Sequence, residues 1–167
     1  MAPPGAENMT TLRIADGRVL RPDMTIERAD VLVDQDEGTI LDVGDVDEGD
    51  VGLDAEGDLV IPGLVNAHTH VAMTLLRGYA DDKPLDAWLQ EDIWPVEAEL
   101  TPEDVRAGAR LGILEMIRSG TTAFSDMYFH VPEIAAAVEE SGIRAVLGHT
   151  AITVGKDEDA ARADCQE

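Results

Sequence analysis

The stretch LVIPGLVNAHTHVAMTLLRG, residues 59–78, decides how this chain is read. An apolar run ends in two histidines one residue apart, His68 and His70. In a strand, residues i and i+2 point to the same face, so both imidazoles can aim at one point. The C-terminal ends of strands are where α/β barrels and open parallel sheets place their sites. A divalent metal takes imidazole nitrogen at about 2.0–2.1 Å and, where it is catalytic, keeps one position open for water. The plainer alternative is a polar strand end that binds nothing. The near-continuous run LVIPGLVN before the pair suits a strand buried on both faces, and that context favours a metal.

Downstream, the pattern alternates strand and helix. Thr101-Pro102-Glu103-Asp104 reads as a helix start, with threonine as N-cap, proline at the first helical position and an acidic residue in capping-box position. Val105, Leu111, Leu114 and Ile117 follow near helical spacing, and Gly120 ends the helix. Residues 121–126 read as a strand. VPEIAAAVEESG is a second helix with Ile134 and Val138 on one face, and residues 143–149 form another strand. Strand–helix–strand–helix–strand with short links predicts a parallel α/β unit.

Upstream, residues 10–60 read as short strands. Asp16-Gly17 between apolar runs is a hairpin signal, and Asp36-Glu37-Gly38 marks another turn. A small antiparallel sheet is expected, with part of its strands supplied from elsewhere. Residues 1–8, rich in proline and glycine, are expected to be a disordered extension.

The charge balance is extreme, with 35 acidic against 12 basic residues and a net charge of −23. Such a field repels phosphate, so nucleic acid and anionic membrane surfaces are excluded as partners. Acidic residues spread over the whole chain, with lysine only at Lys83 and Lys156, resemble the solvated surfaces of halophilic proteins. One cysteine, Cys165, has no partner for a disulfide or a CxxC site, and it is assigned no role. The N-terminus lacks an apolar signal core, and no run reaches the roughly 18–20 apolar residues of a membrane span. A cytoplasmic setting fits.

With these segments in view, the chain resembles a metal-dependent amidohydrolase, in the branch of 5-methylthioadenosine/S-adenosylhomocysteine deaminases and related chlorohydrolases. The matching segments are PGLVNAHTH (62–70), MTLLRG (73–78), WL (88–89), WPVEAEL (94–100) and SGTTAFSDMYF (119–129), and the likeness spans roughly residues 10–150. The resemblance implies an α/β fold: the N-terminal part of a (β/α)8 TIM barrel, residues 59–167, preceded by part of a small β-sandwich, residues 9–58. It implies that His68 and His70 are metal ligands, with zinc favoured by imidazole ligation and deamination chemistry. In the family a later histidine and a later aspartate complete the site, and a carboxylate shuttles protons. It further implies that Glu97 holds the ribose hydroxyls of a nucleoside-like substrate, and that Trp88 lines the pocket.

His149 ends the third barrel-type strand, where it can reach substrate. The branch often carries an arginine near this position and this chain reads GHT, which leaves the exact substrate open. Asp126 reads as a strand-end cap or turn residue, and His130 as an exposed helix start. The reaction implied is deamination of an adenosine compound by metal-hydroxide attack at C6. The alternatives are a triazine-type chlorohydrolase, a guanine/cytosine deaminase of the same superfamily, or a non-catalytic fragment. A (β/α)8 barrel needs roughly 250 residues. The 167 here hold no H-x-x-E after His149 and no later strand-end aspartate. The chain is therefore expected to be an N-terminal portion with no catalytic residue of its own and no activity alone. Oligomeric state stays open.

Overall fold

The computed structural model describes residues 10–149. The expected extension at residues 1–8 and the tail carrying Cys165 lie outside the described residues. The chain divides into two units between Pro62 and Gly63.

The first unit is a five-stranded sheet. Strands β1 (Thr11–Leu20), β2 (Ile26–Asp34), β3 (Thr39–Gly44) and β4 (Val51–Asp54) lie in the order β3-β2-β1-β4, and β5 (Leu59–Val60) also pairs with β1. The sheet is mixed rather than antiparallel, because β4 and β5 both run parallel to β1. Val19, Ala29 and Val31 form its small core, with Ile14, Val33, Val43 and Val60 packed against them.

Asp16-Gly17 is not a hairpin turn. β1 runs straight through it, and the register with β2 shifts between Ile14 and Gly17, so one extra residue bulges from β1. Asp16 takes φ 55°, and its N–H donates to Asp30 Oδ1 at 2.9 Å. Arg13 Nε donates to the other oxygen of Asp30 at 2.9 Å, so one carboxylate clamps the bulge. The pair thus supplies the left-handed residue of a bulge instead of a two-residue loop. Asp36-Glu37-Gly38 does turn the chain, from β2 into β3, with Asp34 Oδ1 accepting from the N–H groups of Asp36 and Glu37.

The predicted single strand over 59–66 is two strands. Leu59 and Val60 belong to the first sheet, and β6 (Leu64–Thr69) begins the second. Proline has no N–H to give a ladder, and Pro62 falls at the break.

The second unit carries three parallel strands in the order β6-β7-β8, with β7 at Thr121–Tyr128 and β8 at Arg144–His149. A 3₁₀ turn over Val71–Leu76 follows β6. A helical stretch then runs as α1 (Leu85–Ala87), a π-helix (Trp88–Ile93) and α2 (Trp94–Glu97). Helix α3 (Pro102–Arg118) starts as predicted. Thr101 accepts from Asp104 N–H, and the Asp104 side chain accepts from Thr101 N–H, closing the capping box. Helix α4 (Val131–Ser141) ends at Gly142, φ 74°. Among the described residues, no helix is long and apolar enough to cross a membrane.

The buried face of α3 agrees with the expected one at Val105 and differs at Leu111, Leu114 and Ile117. Val105, Gly108, Ala109, Gly112, Ile113 and Met116 face inward, while Leu111, Leu114 and Ile117 are exposed. Apolar bulk misleads here because the 3₁₀ turn packs so close that only small residues fit beneath it. A Cβ at Gly108 would stand 2.5 Å from the Ala72 carbonyl oxygen, and one at Gly112 2.7 Å from Val71 Cγ2. The core continues through Phe124, Tyr128, Ile134, Ala137 and Ile143.

Two effects oppose each other in Gly108→Ala. Helix propensity favours alanine by about 1 kcal/mol. Overpacking against a backbone oxygen that cannot step aside costs about 1–3 kcal/mol, and the contact here belongs at the upper end. The variant is expected to lose about 1–2 kcal/mol net in urea denaturation, whereas a gain would show that the turn is free to retreat.

Candidate metal centre

His68 lies in β6 and His70 just beyond its end, so the two share the strand's alternation. Their ring centroids are 5.3 Å apart, with planes at 79°. With metal–nitrogen bonds of about 2.0–2.1 Å and a near-tetrahedral angle, two imidazoles on one ion bring their centroids about 5 Å apart. The observed separation fits a shared ion.

The rings are also oriented. His70 Nδ1 lies 2.7 Å from the carbonyl oxygen of Met127. A carbonyl only accepts, so Nδ1 carries a proton, and in the neutral ring the lone pair is on Nε2. A metal-binding histidine is commonly held in this way through its other nitrogen. Next to His68, its backbone N–H donates to Asn66 Oδ1 at 3.3 Å. Among the described residues, no third histidine, cysteine, aspartate or glutamate gathers with the pair into a cluster able to hold a metal.

Asp126 caps, but not its own strand end. It is buried within β7, and its Oδ1 accepts from Val71 N–H at 2.8 Å. That N–H follows His70 directly, so the carboxylate fixes where the chain turns after the histidine pair. Burial pushes the Asp126 carboxyl up, against the hydrogen bond from Val71 and the nearby His70.

Glu97 ends α2 half-buried. Tyr128 Oη donates to Glu97 Oε1 at 2.7 Å. Burial raises the Glu97 carboxyl, opposed by the tyrosine bond and His70, and burial together with Glu97 raises the Tyr128 hydroxyl, which keeps it a donor. The Tyr128 ring lies 6.4 Å from that of His70, so Glu97, Tyr128 and His70 form one neighbourhood. Tyr128 escapes a reading that ends the strand at residue 126. The signal was period two: Phe124, Asp126 and Tyr128 alternate on one buried face.

The other candidates stand elsewhere. Trp88 lines an open cleft of about 430 Å³ with Leu76, Tyr79, Asp82 and Lys83, and its Nε1–H donates to the Ala80 carbonyl at 2.9 Å. His149 is exposed at the end of β8, paired with Tyr128 in the ladder. His130, φ 50°, is an exposed N-cap of α4, as expected.

The amidohydrolase family model matches residues 59–167. A 5-methylthioadenosine/S-adenosylhomocysteine deaminase of Haloarcula marismortui is 70% identical over 161 residues, which cover 95% of this chain and 37% of that protein. A 5′-deoxyadenosine deaminase of Methanospirillum hungatei is 56% identical over 145 residues, covering 83% and 32%. Among solved structures, an adenosine deaminase from Xanthomonas campestris with bound zinc superposes with TM-score 0.70 at 35% identity, covering 93% of this chain and 38% of that one. The chain thus spans between about 32% and 38% of the length of these relatives.

Asp126→Ala would leave the Val71 N–H buried without a partner, at a cost of about 1–3 kcal/mol. Asp126→Asn keeps an acceptor oxygen and removes the penalty of burying charge, so it is expected to cost under about 1 kcal/mol. Chemical denaturation of both variants checks this, and equal losses would contradict the capping role.

Proposed function

The chain belongs to the amidohydrolase family, and from that premise we propose that it forms the N-terminal part of a zinc-dependent deaminase of adenosine-type nucleosides, 5′-methylthioadenosine and S-adenosylhomocysteine foremost. The observation that carries this reading is the histidine pair, with centroids 5.3 Å apart and the His70 Nδ1–H tied to Met127. The likeness to the deaminase of Haloarcula marismortui supports the substrate class. The zinc in the Xanthomonas campestris structure supports the ion.

His68 and His70 are the residues that would hold the ion. When bound, a divalent metal supplies Lewis-acid activation of water at neutral pH. The chain's own residues bind and orient. Met127 and Asp126 hold the His70 turn in place. Glu97 accepts hydrogen bonds from ribose hydroxyls, an apt use of a half-buried carboxylate. Trp88 would wall only a part of the ligand that reaches its own cleft, and His149, beside Tyr128 in the ladder, would meet the ligand from the end of β8. Positioning of this kind converts binding into rate by presenting the base in one orientation.

The same reading makes the β6-β7-β8 sheet the start of a (β/α)8 barrel and the first unit part of a small β-sandwich. Exposed Leu64, Val65 and Val146 support it, since a sheet left open at such residues presents apolar surface and unpaired edges. A small-molecule substrate, a cytoplasmic setting and a salt-rich cell complete the proposal.

The complete protein is expected to release ammonia from 5′-methylthioadenosine, and His68→Ala or His70→Ala to lower bound zinc and abolish that release. Ammonia release and zinc content are measured together. A wild-type protein that holds zinc yet releases no ammonia from any adenosine compound would sink the assignment. The 167-residue chain alone, with two imidazoles gathered among the described residues, is expected to hold zinc loosely and to release no ammonia.

A further inference from the structure

Tyr128 has a position that the proposed reaction does not yet use. Its side chain is buried at the end of β7, 5% exposed, yet it carries a hydroxyl that must find a partner. The partner is Glu97 Oε1, at 2.7 Å, on a different element and 31 residues away in sequence. The bond occupies one carboxylate oxygen of Glu97 and leaves Oε2 to accept from a ligand. The tyrosine is itself held, by ladder pairing with His149 on one edge and by packing in the core of the second unit. Glu97, in contrast, ends a helix of four residues and has several rotatable bonds. A carboxylate so placed needs an outside anchor if it is to meet a ligand in one orientation.

We propose that Tyr128 is a positioning residue that aims Glu97 at the hydroxyl groups of the ligand, so that a rigid strand sets the discrimination between sugars with and without vicinal hydroxyls. The inference rests on the nucleoside reading above. It assigns Tyr128 no contact with the reacting atoms. Its effect passes through Glu97 alone, and so it falls on ligands that carry the hydroxyls and spares those that lack them.

The test uses the complete, zinc-loaded protein and two deaminated nucleosides, inosine and 2′,3′-dideoxyinosine, whose binding is read by calorimetry without turnover. Tyr128→Phe keeps the ring and removes the anchor. It is expected to weaken inosine about tenfold, to leave 2′,3′-dideoxyinosine within about twofold, and to leave zinc content and melting temperature near wild type. With Glu97→Ala in the background, Tyr128→Phe is expected to add nothing for either ligand, since residues that act as a unit are non-additive. Equal weakening of both ligands, or none, overturns the inference, as does an added loss in the Glu97→Ala background. Should Tyr128→Phe fail to fold, replacing the Tyr128 hydroxyl with fluorine fills its volume and cannot donate to Glu97, so only inosine is again expected to weaken, and equal weakening of both ligands overturns the inference. Failure of the wild-type protein to bind either nucleoside is a different result, because it removes the nucleoside reading itself.

Discussion

The second unit depends on one buried acceptor. Asp126 takes the N–H of Val71, the first backbone donor after the histidine pair. That N–H sits at the start of a 3₁₀ turn, where it has no partner within the turn, and Val71 is 2% exposed. A buried donor of this kind has to be matched. Matching it from the middle of β7 ties the strand that carries the histidines to the strand beside it through a side chain as well as the ladder. The ladder shows why both ties are needed. The register between β6 and β7 shifts between Asn66 and Thr69, and the next pairing, Thr69 with Asp126, sits beside the buried carboxylate. The strand is thus irregular where the histidines emerge, and Asp126 with the Met127 carbonyl replaces the order that the ladder gives up.

Packing supplies the other half of that constraint. The 3₁₀ turn can lie on α3 only because Gly108 and Gly112 have no side chain to hold it off. The turn is therefore gripped between a carboxylate on one side and a bare helix surface on the other. Both determine where the imidazoles point, and a site whose side chains are fixed by such support does not spend binding energy on arranging them.

How much of this was legible follows from what each signal measures. Period two placed His68 and His70 on one face, and the capping box at Thr101 fixed the start of α3 because both depend on neighbours in sequence. The glycine that closes α4 was readable for the same reason. The errors lie where a partner distant in sequence decides. Asp16-Gly17 has the chemistry of a tight turn, but Asp30, on the neighbouring strand, holds Asp16 in a bulge. Leu111, Leu114 and Ile117 look like a core face, yet the turn at Ala72 selects the glycine face. LVIPGLVN looks like one strand, and the pairing of Leu59 and Val60 with β1 splits it. The bond between Tyr128 and Glu97 spans 31 residues and two elements, and no local pattern encodes it.

The abundance of carboxylates explains why the informative ones could not be picked out by residue type. With 35 acidic residues, any one aspartate or glutamate reads as solvated surface. Structure separates them by the direction in which their acidity moves. Asp30 and Asp104 are held below the ordinary range, the first by Asp16 N–H and then Arg13, the second by Thr101. Glu140 is held down by Arg106 and then Arg110. In each, hydrogen bonds to the charged form favour ionisation. Such groups clamp a bulge, cap a helix and join α3 to α4, and they stay charged. Glu97 and Asp126 move the other way because burial dominates. A chain covered in carboxylates has no shortage of sites for charge at its surface, so burying Asp126 and half-burying Glu97 is a cost with no solvation benefit. That cost is borne near His70, which opposes both shifts. Asp30, Asp104 and Glu140 answer to the donors that hold them, whereas Glu97 and Asp126 answer to burial near His70.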